Sequence, residues 1–363
     1  MPHANPSDQP TLTMPPEWAP QAATWLSFPI NNDTWSQNLP AAQAEFALLV
    51  HAIAADQKAY VMCGREKHRE TARRTILVQH EGQLSQQQIE NIELVAIETN
   101  DAWARDYAPT FVKSDKSEGS VGGLYSIDWH YNAWGGKYPP FDLDQQVAGN
   151  VAKRLKIDNV AAGICAEGGA LEINGKGVLL VTRSSILNDN RNPEVDQSHI
   201  ESVFRELLGV KQIAWLPGDA AGPTVLGDDT DGHIDQLARF TDDSTIVYAW
   251  TEQANDPQRA GLENNLAELK QQMKALDAGY QLVPLPLPPA ITYCDLRLPA
   301  SYCNFLITNQ RVLVPQFGVA ASDEQALEIL SPLFPNRRLV PLPSKELTVG
   351  LGAFHCLSQQ QPA

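Results

Sequence analysis

No run of about 18 consecutive apolar residues occurs in this chain, so a transmembrane helix is not expected. Basic residues are scarce: 27 Lys and Arg stand against 43 Asp and Glu, a formal charge of −16, which makes nucleic acid and anionic membrane surfaces poor partners. The same charge would draw in a small cation, although acidity also serves solubility alone. The five cysteines, Cys63, Cys165, Cys294, Cys303 and Cys356, include no CxxC pair and no regular spacing, so neither a disulfide framework nor a zinc cluster is suggested. Neither GxxxxGK[ST] nor GxGxxG opens a helix, and a phosphate-cradling loop is poorly supported. The opening MPHANPSDQPTLT lacks a basic segment followed by an apolar run, so no secretion signal is read. A free reactive thiol suits a reducing cytoplasm, the expected location.

What is present is an ordinary apolar share, 43% of 363 residues, enough to bury a core in one large domain or two average ones. Residues 1–13 are polar and are expected to form a disordered tail, leaving 14–363 as a single catalytic domain. Thr24 to Phe28 reads as a strand, and Leu39 to Ala55 places Phe46, Leu49, Val50 and Ile53 at helical spacing. After the strand AYVMC, a helix, strand and loop unit recurs. Its loops are NDAWARDYAP, AEGGALE, the polar segment ending in DGHID, LPASYCNF and GAFHC. Trp103, Glu167, His233, Ser301 and Cys356 mark these loops at separations of 64, 66, 68 and 55 residues. Such a period points to a repeat of pattern rather than of letters. Units closing around an axis would bring all five loops to one pocket, while a doubly wound α/β sheet is the plainer alternative.

The segment GLGAFHCLSQQ around Cys356 is polar and glycine-rich, more the setting of a presented thiol than of a packed one, although most free cysteines are inert core residues. A thiol of ordinary pKa ~8.5 needs a histidine or a cation nearby to act as a nucleophile. His233 in DDTDGHID is the candidate. In an extended segment Asp231, His233 and Asp235 share a face, and the carboxylates would raise the imidazole pKa for acid–base work. The same letters also fit a solvated turn. A metal site is the weaker option, because Asp-x-His-x-Asp lacks further histidines or cysteines. His355 is expected to be structural, since adjacent side chains in an extended segment point apart. Asp106 beside Arg105 is either a surface ion pair or, with Asp235, a two-carboxylate clamp for a planar cation, with Trp103 as an aromatic wall. Glu167 would orient His233. A guanidinium satisfies both halves of this set, because its carbon is the electrophile a thiolate needs and its charge is what clustered acids need. Peptide cleavage by a Cys–His pair would gain nothing from acids around an oxyanion.

Read together, WARDYAP, DWHYNAWGG (Asp128 to Gly136), EGG, ILNDNRNP, DDTDGHID, LPASYCNF, VPQFG and HCLSQQ resemble the agmatine deiminases and the bacterial peptidylarginine-deiminase-like proteins, over nearly the full length. The resemblance implies the pentein fold, a five-bladed α/β propeller of ββαβ units. It implies a nucleophile at Cys356, an acid–base histidine at His233, guanidinium-binding aspartates at Asp106 and Asp235, and a glutamate partner for the histidine at Glu167. Substrate contacts are expected at Trp103, Asp229 and Trp134, without cofactor or metal. The implied reaction turns agmatine into N-carbamoylputrescine and ammonia through an S-amidino-cysteine. A deiminase of arginine or peptidyl-arginine, a guanidine-binding protein without turnover and an amidinotransferase are the alternatives. The implied partner is a small cationic guanidine, and the chain leaves room for a homo-oligomer. Three positions depart from the family: Leu351-Gly352-Ala353 stands where Gly-Gly-Asn is usual, Ala108 replaces a glycine, and Asp229 replaces a glutamate that receives the substrate's distal amine.

Overall fold

The structure, a computed structural model, describes residues 11–115, 123–276 and 279–363. Among these residues the strands form five sheets of three or four strands and a separate two-stranded hairpin. Each sheet repeats one plan. A short strand lies antiparallel to a central strand, and a helix then carries the chain to a third strand parallel to the centre. One blade illustrates it. Glu172–Ile173 pairs antiparallel with Val178–Thr182, the helix Gln197–Leu208 crosses over, and Gln212–Leu216 returns parallel. Val178–Thr182 is buried along its whole length, as a strand covered on both faces must be, and its sequence VLLVT is accordingly apolar. The crossover helix starts where the Asp196 carboxylate accepts from His199 N at 2.8 Å and ends at Gly209 with a left-handed φ of 65°. Its stripe Ile200, Phe204, Leu207 and Leu208 is buried against the sheet.

The other blades have central strands Gln21–Ser27, Leu124–Asp128, Thr245–Trp250 and Arg311–Gln316. This ring of five blades is the pentein propeller; the doubly wound sheet is set aside. The crossover helix Leu39–Ala54 buries Phe46, Leu49, Val50 and Ile53 completely, the four residues its spacing singled out, each contributing about 1.5–3 kcal/mol relative to exposure. Two blades also repeat in letters, not pattern alone. The outer strands Gln281–Pro286 and Arg338–Pro343 read QLVPLP and RLVPLP. Prolines at alternate positions remove donors from one side of a strand, which an edge strand tolerates and a central one does not.

The ring closes between the two ends of the chain. Ser358–Pro362 pairs antiparallel with Gln21–Ser27, with Ser358 opposite Leu26. Strand pairing is already present within the expected tail: Leu12–Thr13 pairs with Lys113 and Ser114, and Met14 N donates to Leu208 O at 2.9 Å. The expected tail is thus corrected at residues 11–13, and residues 1–10 lie outside the described residues. In every blade the chemically loaded loop joins the outermost strand of one sheet to the inner strand of the next. That connection is why residues some 60 apart in sequence share one space.

Candidate active site

Four of these loops make a short helical turn just before the inner strand: Ala104–Tyr107, Gly168–Ala170, Ile234–Leu237 and Tyr302–Asn304. The fifth carries Cys356 two residues before the closing strand, so ring closure itself sets the place of the thiol. Cys356 is 6% exposed at the floor of a cavity of about 540 Å³ that Trp103, Asp106, Trp134 and Asp229 also line. Its Sγ accepts from Asn304 Nδ2 at 3.1 Å and lies 3.6 Å from Asp235 Oδ2. The Asn304 side-chain carbonyl in turn accepts from the backbone N–H groups of His355 and Cys356 at 3.1 and 3.3 Å. Asn304 therefore fixes both the sulfur and the loop that carries it.

His233 lies beneath this floor, 1% exposed, with Nδ1 3.8 Å from Asp106 Oδ1 and Nε2 3.5 Å from Glu167 Oε2. The shared face expected for Asp231, His233 and Asp235 is not formed. Asp231 and Gly232 adopt φ of 65° and 83°, so the segment is turned rather than extended. Asp231 leaves to bind Lys137 at 2.9 Å and Arg191 at 2.5 Å. Asp106 takes its place beside the ring. Burial works to lower the imidazole pKa, but the carboxylates of Asp106, Glu167 and Asp235 outweigh it and raise it to about 9. Burial is also the chief reason Asp106 is raised, to about 7, with His233 opposing and Asp235 and Glu167 adding to it.

Asp106 is held by two donors, Trp134 Nε1 at 3.0 Å and Gly169 N at 3.0 Å. Trp134 reaches it from an unusual backbone: Ala133, Trp134, Gly135 and Gly136 all have φ between 53° and 91°. Arg105 does not pair with Asp106 at the surface. It is buried and donates to His355 O and to Gln360 Oε1 at 3.2 and 2.6 Å. The two glycines of AEGGALE are required by close approach. A Cβ on Gly168 would meet Arg105 O at 2.2 Å, and one on Gly169 would meet Asp106 Oδ1 and His233 Nδ1 at 2.7 Å. Asp235 Oδ2 would stand 3.2 Å from that same Cβ, so Gly169 is the point where Asp106, His233 and Asp235 converge.

Behind Asp235 runs a second buried chain of charges. His355 offers Nδ1 to Asp235 Oδ2 at 2.8 Å and Nε2 to Glu17 Oε2 at 3.0 Å. Glu17 continues to Arg239, which also binds Glu172 at 2.8 Å. A neutral imidazole donates from one nitrogen only, so either the ring is charged or one of its two acids holds a proton. His355 is thus the support of Asp235 and makes no contact with Sγ among those described. Glu17, Glu172 and His355 bring possible metal-ligand atoms within 4.8 Å of one another, but the Arg239 guanidinium already engages both acids.

The sulfur's thiolate is disfavoured by its protein surroundings. Burial pushes the Cys356 pKa well above its ordinary value, and Asp235 and Asp106 push it further, with Asn304 opposing. Several polar atoms at the floor have no hydrogen-bond partner among the described residues: both ring nitrogens of His233, Glu167 Oε2 and Asp235 Oδ1. The buried carboxylate oxygens left open in this way are suited to receive a cation with several N–H groups. Glu167 keeps its other oxygen on Arg191 Nε at 2.6 Å, and burial of Glu167 is outweighed by His233 and Arg191, which lower its pKa.

The sequence model of the Porphyromonas-type peptidyl-arginine deiminase family matches residues 13–362. The chain belongs to that family. Among its relatives, an agmatine deiminase of Stutzerimonas stutzeri is 35% identical, with 96% of this chain and 95% of that protein covered. One from Pseudomonas putida is 34% identical over the same shares. The C. jejuni agmatine deiminase with substrate bound superposes with a TM-score of 0.85 at 28% identity, covering 98% of each chain. An amidinotransferase of saxitoxin biosynthesis from Microseira wollei shares the fold alone, with a TM-score of 0.53 at 12% identity.

Within this family member, the sequence motifs held more than was read from them. Asn304 sits in LPASYCNF, Arg191 in ILNDNRNP and Glu17 in MPPEWAP; each polar residue lacks an apolar register that would explain it, which was the available signal. Of the expected substrate contacts, Trp103 lines the cavity and packs its ring 5.4 Å from that of Trp35. Asp229 lines the rim and accepts from Tyr138 Oη, while its backbone carbonyl accepts from Lys137 Nζ at 2.5 Å.

Proposed function

We propose that this protein hydrolyses a small guanidine cation to a ureido product and ammonia, with agmatine, which would give N-carbamoylputrescine, as the best-fitting substrate. The observation that carries the reading is a thiol 3.6 Å from one buried carboxylate, beside a second, with open acceptor atoms around both. Such a thiol resists ionisation until a cation arrives. A guanidinium bound between Asp106 and Asp235 neutralises the charge that suppresses the thiolate, so substrate and nucleophile are activated by the same event.

The steps then balance as follows. The Cys356 thiol gives its proton to solvent on substrate binding, and the thiolate bonds to the guanidinium carbon. His233, already protonated near neutral pH, gives its proton to the departing nitrogen, which leaves as ammonia and an S-amidino-cysteine remains. The now neutral ring takes a proton from water, which attacks the same carbon. The carbon–sulfur bond breaks with its electron pair on sulfur, the added hydroxyl gives its proton to that thiolate as it becomes the ureido carbonyl, and the product leaves with the Cys356 thiol and the protonated His233 restored. Glu167, tied to Arg191, keeps the ring in position through both proton transfers.

Agmatine is favoured over arginine by the rim. Asp33, Asp101 and Asp229 line it, and an α-carboxylate would meet these acids where an ammonium would be attracted. The test is a panel of agmatine, arginine and an arginine peptide, read by ureido and ammonia formation. Turnover of agmatine above the others is expected, and turnover of none would overturn the reading. The Cys356→Ser variant is expected to bind agmatine yet form no covalent adduct by mass spectrometry. An adduct surviving in that variant would remove Cys356 from its role.

A further inference from the structure

The cavity wall is not acidic all round. Besides the carboxylates of Asp101 and Asp229 it is lined by Leu296, Val349 and Leu351. Leu351 is five residues before the thiol and has a φ of 75°, a left-handed conformation that glycine adopts freely and a leucine does not. A leucine in this conformation, close in sequence to the thiol and lining the same cavity, is a candidate for a functional contact. One flank of Leu351 packs on the core shared by the fourth and fifth blades, and the residue remains part-exposed at the cavity.

Leu296 reaches the same cavity from a different element. It belongs to the hairpin Thr292–Tyr293 with Leu296–Arg297, whose two turn residues Cys294 and Asp295 both have positive φ, 48° and 65°, as a two-residue hairpin turn of matching twist requires. Backbone contacts hold the hairpin in place. Leu298 N donates to Ile291 O at 2.8 Å, and Arg297 O approaches so closely that a Cβ on Gly227 would meet it at 2.3 Å. Gly227 begins the segment that carries Asp229, so the apolar hairpin and the acidic rim are built against each other. Leu296 is nevertheless 70% exposed. Singly exposed leucines are ordinary; this one shares a cavity wall with two more apolar side chains.

We propose that Leu296 and Leu351 are specificity-determining residues that cover the aliphatic spacer of the substrate. The site would then take a linear guanidine whose head is joined by a methylene chain to a second positive charge, with the head on the floor, the chain against the two leucines and the far cation at the acids. The inference rests on the guanidine reading above and adds the spacer to it. Each methylene removed from water against such a wall strengthens binding about fourfold, from ~0.8 kcal/mol per group.

The test compares agmatine, shorter and longer guanidinoalkylamines, and methylguanidine, which has the head but no spacer. Affinities are measured by calorimetry in the Cys356→Ser background and kcat/KM in the active protein, for Leu296→Ala, Leu351→Ala, Leu351→Gly and the Leu296→Ala/Leu351→Gly double variant. Leu351→Gly removes the side chain while suiting the left-handed backbone, so it keeps the test open where Leu351→Ala does not fold. The preference for agmatine over methylguanidine is expected to fall about tenfold in the double variant, with the optimum in chain length blurred. An unchanged preference, or an equal loss for both guanidines, would overturn the assignment. Wild-type protein that binds neither guanidine would instead overturn the parent reading, and this inference with it.

Discussion

The floor and the rim of the cavity are built on different terms. On the floor, each of the three carboxylates has at least one bonded partner in a fixed geometry: Asp106 on Trp134 and Gly169, Glu167 on Arg191, Asp235 on His355. At the rim, Asp229 is held by a part-exposed tyrosine and Leu296 stands 70% exposed on a hairpin. The floor comes from the loops between blades, where ring closure over-determines position. The rim comes from turns that touch the ring on one side only. Chemistry that needs atoms placed to a fraction of an ångström is confined to the first region, and recognition that differs between relatives can change in the second.

The largest effect is expected from the floor's acids. Asp106→Asn removes a charge that supports His233 and would bind the guanidinium, so kcat/KM for agmatine should fall about a thousandfold. Asn keeps an oxygen acceptor for Gly169 N but turns its NH2 towards Trp134 Nε1, so circular dichroism with thermal melting is needed to separate lost chemistry from lost fold. A loss under tenfold would mean that Asp106 does not face the substrate's charge. Next comes Gly169→Ala. Its added methyl would stand 2.7 Å from both Asp106 Oδ1 and His233 Nδ1, and activity should drop about a hundredfold while circular dichroism is unchanged. Near-normal activity would show that the floor is less rigid than its contacts indicate.

The same contrast has a signature in pH. His233 is raised from 6.5 to about 9, so the stability it contributes is complete below about pH 6.5 and is lost as pH rises through about 9. Asp106, raised from 3.8 to about 7, also contributes its stability at low pH, but that share is gone by about pH 7. The window from 7 to 9 therefore belongs to the imidazole among the floor groups. The melting temperature should fall across it in the wild type, and His233→Gln should flatten that slope. A slope that survives the substitution would place the titrating group elsewhere.

The fold was legible because its periodic signals are local. The helix Leu39–Ala54 carries its apolar stripe in its own letters, and the recurring loops marked a repeat that fitted a ring or a doubly wound sheet, between which the family resemblance pointed to the ring. The identities of the chemically loaded residues were legible too, since Cys356, His233 and Asp235 sit in runs that no core would choose. Glu167 beside His233 was legible with them; the remaining partners were not. The sequence places Asp231 and Asp235 around His233, but two left-handed residues turn Asp231 away and Asp106, 127 positions earlier, arrives instead. That exchange depends on how loops from different blades meet, which no window of one chain segment contains. Asn304 and Glu17 were hidden for the same reason, each acting on a residue more than 50 positions distant.

The smallest expected effect lies at the rim. Asp229 is raised by its burial, with Tyr138 and Lys137 opposing, and its reach is one methylene shorter than a glutamate's. If it receives the far ammonium, Asp229→Asn should raise KM for agmatine about fivefold to tenfold at nearly constant kcat, since a charge met equally in ground and transition states contributes uniform binding. Added salt should then narrow the gap between variant and wild type, because a part-exposed pair is screened where a buried one is not. A fall in kcat with KM unchanged would argue the reverse, that Asp229 acts on the floor through the segment Asp228 to His233, and the division between a rigid chemical base and an adjustable mouth would have to be redrawn with this aspartate on the other side.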